Sequence, residues 1–333
     1  MKKTATEKTF SKFFNFGIFP KWTIKNMVFV AILIALSVSF TVVAAQILPI
    51  VNIPSYKFSF IGLPVKITGF IFGPVIGVFV GIVSDLLSLI FVPPAGYNPV
   101  YTVATAMNGL VAGLFGMYFL SFLNYAFSKK YRLEKLSIKI TLLSYKYKQL
   151  STANKRAAAT SVANKIIALN SKRKFINEND SKHELKLIYL FSGSAFMLLC
   201  IAITVALIGF VISDTVIEKS FIPNRFIILG LTVSGMAALC IFIIVGYFFI
   251  DTEKYLVLVP IIVFSAFLSL INIPILSYAD LYSLGNGTLQ DIFIWITQHI
   301  LTTPIKIWFN VFVIYYAYTV ISKLIYKNNK LSY

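Results

Sequence analysis

Residues 58–116 constrain the fold more than any other stretch of this chain. FSFIGLPVKITGFIFGPVIGVFVGIVSDLLSLIFVPPAGYNPVYTVATAMNGLVAGLFG is apolar almost throughout, yet it is broken at Gly73-Pro74 and again at Pro93-Pro94-Ala95-Gly96. Gly73, Gly77 and Gly81 recur every four residues. Small residues at that spacing share one helical face and let backbones approach closely in lipid. One carboxylate, Asp85, lies inside the run. An ionisable group at membrane depth is expensive to keep, which makes Asp85 a functional candidate by default.

The whole chain follows the same logic. Of its 333 residues, 58% are hydrophobic and 13% charged, against about 45–50% and about 25% in soluble domains. The expected class is an all-α, polytopic membrane bundle. The net charge of +18 does not point to nucleic acid, because the cations sit in the gaps between apolar segments, as topology determinants do. Cys200 and Cys240 both lie in apolar runs, so neither a disulfide frame nor a metal site follows. Residues 1–25 are basic and aromatic without a small-residue cleavage site. They read as an interfacial leader and not as a cleaved signal.

A membrane span needs about 20 apolar residues. Eight candidates satisfy this or come close: 26–48, 59–72, 74–91, 101–123, 185–212, 226–250, 255–276 and 291–321. Whether 59–91 is one helix or two is decided by charge. With two, 25 of the 30 Lys and Arg residues fall on one face, in the leader, in 129–186, at 251–254 and in the tail. That face is then cytoplasmic, with both termini on it. The domain plan is a leader at 1–25, four helices over 26–123, a basic cytoplasmic insertion at 124–184, two helices over 185–250, a final pair at 255–321 and a basic tail at 322–333. For the insertion, composition favours a solvated, partly disordered connector. A basic amphipathic helix on an anionic membrane surface is the alternative.

The candidate site residues come from the buried charges and the predicted outer loops at 48–58, 92–100 and 277–290. Asp85 belongs either to a substrate or cation site or to a structural contact with Tyr97, Asn98 or Asn108. Lys66 and Lys306 are the other charges inside predicted helices. Tyr56, Tyr97, Asn98 and Tyr101 lie at or beside the outer loops. Asn272, Tyr278 and Tyr282 lie at the last one, and Trp295, Gln298 and His299 on the outer half of the last helix. Aromatics with a few amides and charges suit a flat, polar, heteroaromatic ligand. An aromatic belt at the headgroup level accounts for the tyrosines and tryptophan equally well, but less well for Asn98, Asn108 and Gln298. Ala31-x-x-x-Ala35-x-x-x-Ser39 puts small residues on one face of the first helix, suited either to packing within the bundle or to docking a partner. No Walker loop, zincin motif or nucleophile elbow occurs, so neither an enzyme nor a cofactor is expected.

Leu63-Pro64, Gly69-Phe70-Ile71-Phe72-Gly73-Pro74-Val75-Ile76-Gly77, Gly81, Ser84-Asp85-Leu86-Leu87, Gly96-Tyr97-Asn98-Pro99 and Asn108-Gly109-Leu110 together resemble the S components of energy-coupling-factor (ECF) vitamin transporters, and within them the folate branch. The resemblance covers roughly 26–123. It implies a six-helix core that captures a vitamin outside with high affinity. The core then docks on a membrane coupling subunit driven by two ATPases and topples to release the ligand inside. It also implies that Ala31 and Ala35 face the coupling subunit. Tyr97, Asn98, Tyr101 and Asn108 would contact the ligand, with Asp85 ordering the loop at 92–100 and with Tyr56, Lys66, Asn272, Gln298 and His299 as further candidates. The basic insertion and the helices at 185–212 and 226–250 are additions to that pattern. Near Thr303-Pro304, where the folate branch carries a basic residue, this chain has Trp295, Gln298 and His299. Lys66 offers a replacement cation. Riboflavin or pantothenate as ligand, a self-sufficient secondary transporter and a membrane scaffold remain as alternatives.

Overall fold

The computed structural model describes residues 23–47, 54–93, 98–178, 182–212, 214–218, 222–284 and 292–328. Among them there are helices and no strands. The first four are α1 (Ile24–Ile47), α2 (Pro54–Phe72), α3 (Pro74–Phe91) and α4 (Pro99–Gly116). A wider π-helical stretch, Met117–Leu123, continues α4. Next come α5 (Lys129–Thr152), α6 (Arg156–Glu178), α7 (Lys182–Ala206) and the short α8 (Asp214–Ile217). The chain ends with α9 (Arg225–Phe249), α10 (Thr252–Leu284) and α11 (Ile292–Asn328). Six helical stretches among the described residues are long and apolar enough to cross a membrane: Asn26–Val43, Pro74–Phe91, Pro99–Ala126, Lys182–Phe210, Arg225–Phe249 and Thr252–Ser283. The chain is a polytopic, all-α membrane protein.

The break at Gly73-Pro74 is a reversal and not a kink. Gly73 takes φ 95°, a conformation that costs a residue with a Cβ and costs glycine little. Pro74 then opens α3 at the helix N-terminus, where its missing N–H is not needed. α2 and α3 fold back on each other so tightly that a Cβ placed on Gly77 would lie 2.8 Å from the Gly69 Cα. α4 packs into the same corner, and a Cβ on Gly109 would lie 2.8 Å from the Gly77 Cα. Three glycines thus bring three helix backbones into contact. α1 closes one side through Val30 and Leu33, which cluster with Val65, Phe72, Ile76 and Val80.

Two compact units emerge, one formed by the chain up to Leu120 with the chain from Tyr189 onward, the other by Ser121–Ile188. In the first, α10 packs on α4 and α11, α11 packs on α2, and α9 packs on α10 and α11. α7 joins through aromatics: Phe119, Tyr189 and Phe196 meet edge-on or tilted beside Phe115. The π-helical stretch leaves the Phe119 carbonyl able to accept from the Tyr189 hydroxyl.

In the second unit the predicted partly disordered connector is a helical hairpin. Leu133, Leu136, Ile140, Leu143 and Leu150 on α5, and Ala159, Val162, Ile166, Leu169 and Ile176 on α6, recur at steps of three, four and seven residues. Those positions are the shielded ones, as in a coiled-coil seam. Asn154 makes the turn at φ 54°. Arg132 pairs with Glu184, and the Lys129 ammonium donates to the Asn177 carbonyl.

Two predicted loops shorten. α2 begins at Pro54 and α10 runs to Leu284, so Tyr56, Tyr278 and Tyr282 are helical. Pro274 does not end α10. An Ala at position 109 should cost about 1–3 kcal/mol or more through overpacking. Gly230→Ala, where a Cβ meets nothing within 4 Å, should be neutral or slightly stabilising. Thermal unfolding of both variants in detergent checks the contrast.

Candidate binding site in the helical bundle

Helical periodicity on α4 and α10 brings two polar layers together. On α4, Tyr101 and Asn108 are seven residues apart and so share a face. On α10, Asn272 and Asp280 are eight apart and share one too. The two helices run antiparallel, since Asn108 meets Asn272 while Tyr101 meets Asp280. Between the two layers, Ala104, Leu276 and Ala279 form an apolar spacer packed with the Tyr101 ring.

In the first layer the Tyr101 hydroxyl donates to Asp280 Oδ1, and His299 Nε2 on α11 lies 2.9 Å from Asp280 Oδ2. Asp280 is 1% exposed, so its carboxylate has exchanged water for a phenol and an imidazole. Lys306, about two turns beyond His299, acts on Asp280 electrostatically. A buried carboxylate held by such partners is costly to strand: removing one member of a buried pair costs about 3–5 kcal/mol.

In the second layer the Asn272 amide donates to Asn108 Oδ1 at 2.8 Å. Asn108 is fully buried, and its own Nδ2 and the Asn272 Oδ1 have no hydrogen-bond partner. The pair therefore presents one unused donor and one unused acceptor side by side. Lys66 on α2 is buried beside it: a Cβ on Gly62 would lie 3.1 Å from Asn108 Nδ2 and 3.8 Å from Lys66 Nζ. Lys306 is close enough to Lys66 to repel it. Among the described residues no carboxylate forms an ion pair with Lys66. An anion with an amide-like edge is the chemistry that would satisfy all three groups.

Asp85 on α3 accepts from the Thr102 hydroxyl at 2.6 Å, which joins α3 to α4. Asn98 caps α4, its Oδ1 accepting from the Val100 N–H at 3.0 Å. Tyr97 lies outside the described residues, and Tyr56 falls in the first turn of α2. Gln298 is exposed and does not join the cluster. On α1, Ala31, Ala35 and Ser39 are exposed while Leu33, Ser37 and Thr41 are buried, so the small-residue face points away from the bundle. Asp280 is the residue that sequence reasoning missed. The usable signal was its eight-residue spacing from Asn272, hidden by reading 277–290 as a loop. No group of three or more His, Cys, Asp or Glu residues suited to a metal occurs among the described residues.

Residues 21–133 match the family described as ECF-type riboflavin transporter, S component. The N-terminal third of this chain is S-component-like. The folate transporter FolT of Clostridium novyi (strain NT) is 33% identical over 89 residues, which is 27% of this chain and 49% of that protein. The chain thus spans about half the length of the curated relative it matches. No solved structure matches. The S-component-like stretch holds Ala31, Ala35, Lys66, Asp85, Asn98, Tyr101 and Asn108, whereas Asn272, Asp280, His299 and Lys306 lie beyond it. The two comparisons carry the names of different vitamins.

Tyr101→Phe removes a hydrogen bond to a buried carboxylate and should lower stability by roughly 1.5–3 kcal/mol. Gln298→Ala should stay within about 0.5 kcal/mol. Thermal midpoints of the two detergent-purified variants test this.

Proposed function

We propose that this chain is the substrate-capture subunit of an ECF-type vitamin importer, and that its ligand is a folate. The observation that carries the reading is the group of buried Lys66, buried Asn108 and half-buried Asn272, which brings a cation, a free donor and a free acceptor together inside the bundle. A pterin presents adjacent donors and acceptors on its ring edge, and the glutamate of folate supplies carboxylates for Lys66. Tyr101 and His299 hold Asp280 at the next layer, and the Thr102–Asp85 hydrogen bond between α4 and α3 supports a role for Asp85 in ordering the segment 92–100. Riboflavin, the vitamin in the matched family's description, also offers a donor–acceptor edge but no carboxylate, which is why Lys66 favours folate.

In this reading both termini are cytoplasmic, and the exposed Ala31 and Ala35 face a membrane coupling subunit that works with two ATPases. Small residues there let a partner helix approach closely. A second reading has one observation in its favour. The buried Asp280–His299 pair across α10 and α11 is a feature of proton-coupled carriers. Uptake that survives loss of the ATPases but collapses with the proton gradient would select it.

Ligand identity decides first. Protein purified from rich medium, then denatured, should release a stoichiometric folate detectable by mass spectrometry. Lys66→Ala should weaken folate binding by about 10- to 150-fold, the equivalent of losing one charge-assisted hydrogen bond of roughly 1.5–3 kcal/mol. Unchanged affinity in that variant would remove Lys66 from the site. Release of another vitamin would replace folate and keep the capture role.

A further inference from the structure

We propose that the α5–α6 hairpin is a lipid-binding module whose α5 outer face lies on an anionic membrane surface. The proposal is independent of which vitamin, if any, the bundle binds. The seam leucines of α5 occupy the face turned to α6. Ile138, Leu142 and Tyr145 follow a separate four- and three-residue step on the opposite face, and they are 57%, 67% and 65% exposed. Packing within the hairpin gives them nothing to cover.

Lysines flank this second stripe. At 100° per residue, Lys135, Lys139 and Lys146 fall on one side of it, and Lys130 and Lys148 on the other. An apolar stripe between rows of lysines is what an interfacial helix presents: side chains enter the headgroup boundary while the long stems carry their charges out to the phosphates. α6 adds exposed Ile167 and Phe175 beside Lys172, Arg173 and Lys174. Ser121–Ile188 holds fifteen Lys and Arg against four Asp and Glu, so charge complementarity demands an anionic occupant.

Connectivity chooses among anionic occupants. The hairpin follows one helix able to cross a membrane, Pro99–Ala126, and precedes another, Lys182–Phe210. Both of its ends are therefore tethered at a membrane surface, where the lipid headgroups stand at high effective concentration. A second hairpin is a poor partner because it carries the same positive charge. RNA is less favoured, because the uncovered stripe is aliphatic at two of its three positions and stacks poorly with bases.

The test uses the full chain in nanodiscs, which present the same lipid on both faces and make orientation immaterial. An environment-sensitive fluorophore is placed at position 142 through Leu142→Cys, with Cys200 and Cys240 replaced by Ser. A second protein carries it at Ser137→Cys, on the hairpin's flank. In phosphatidylcholine discs containing a quarter phosphatidylglycerol, the label at 142 should shift to the blue and the label at 137 should not. The shift should vanish in pure phosphatidylcholine, in 0.5 M salt, and in Lys135→Gln/Lys139→Gln/Lys146→Gln. Unlabelled protein should resist trypsin at Lys139 and Lys146 several-fold longer in the anionic discs, which guards against an effect of the label. Equal emission and equal cleavage in the two lipids would overturn the proposal. So would a shift that appears only on adding RNA, which would assign the face to nucleic acid.

Discussion

Everything in the bundle depends on three backbones meeting at Gly69, Gly77 and Gly109. In lipid, apolar side chains gain little by leaving one hydrocarbon environment for another, so helix association rests on close packing and internal polar contacts. The reversal at Gly73 brings α2 onto α3, and α4 then enters the corner they form. That corner sets the height and rotation of α4. Tyr101 and Asn108 therefore face α10, while Thr102 reaches back to Asp85. A Cβ at the crossing would push α4 outward and separate both polar layers from their partners.

The polar layers resolve an electrostatic problem that the apolar composition creates. Asp280 is hydrogen-bonded by Tyr101 and lies 2.9 Å from His299 Nε2, with Lys306 acting on it electrostatically, so three helices are tied to one carboxylate. Lys66 has no such ion-pair partner among the described residues, and Lys306 acts on it as a like charge. In the reading proposed above, the Asp280 layer is structural, and the layer that sets Lys66 beside the open donor–acceptor pair is the receptive one. That division favours Lys66, Asn108 and Asn272 as the ligand-facing group over the Tyr101 layer, although Tyr101 has the more conspicuous contacts.

What could be read from the sequence was what local chemistry dictates. Gly73-Pro74 announced a reversal because only glycine takes φ 95° cheaply and proline suits a helix start. Asp85 and Lys66 stood out as charges in apolar runs. Asp280 did not, because Pro274 and the polar run after it read as a loop. Its helical placement depends on Tyr101, 179 residues away in the chain. The insertion was misread for a different reason. Its composition is that of a solvated connector, and composition discards order. The seam at Leu133, Leu136, Ile140 and Leu143 is visible only when residues are counted by position.

The extent of the family match has a physical counterpart. Residues 21–133 include the glycine corner, Lys66, and the α4 partners in the two polar contacts with α10, Tyr101 and Asn108. Asn272 and Asp280 on α10, and His299 and Lys306 on α11, lie where the match has ended. The corner is demanding, because three glycines admit no substitute without moving a backbone, and so its sequence pattern is recognisable. The second half of the site makes no such demand: any pair of helices that delivers an amide and a compensated carboxylate at the right heights completes it. The match itself therefore says nothing of α10 and α11. For that reason the ligand has to be argued from Lys66 and the Asn108–Asn272 edge, and not from the vitamin in a relative's name.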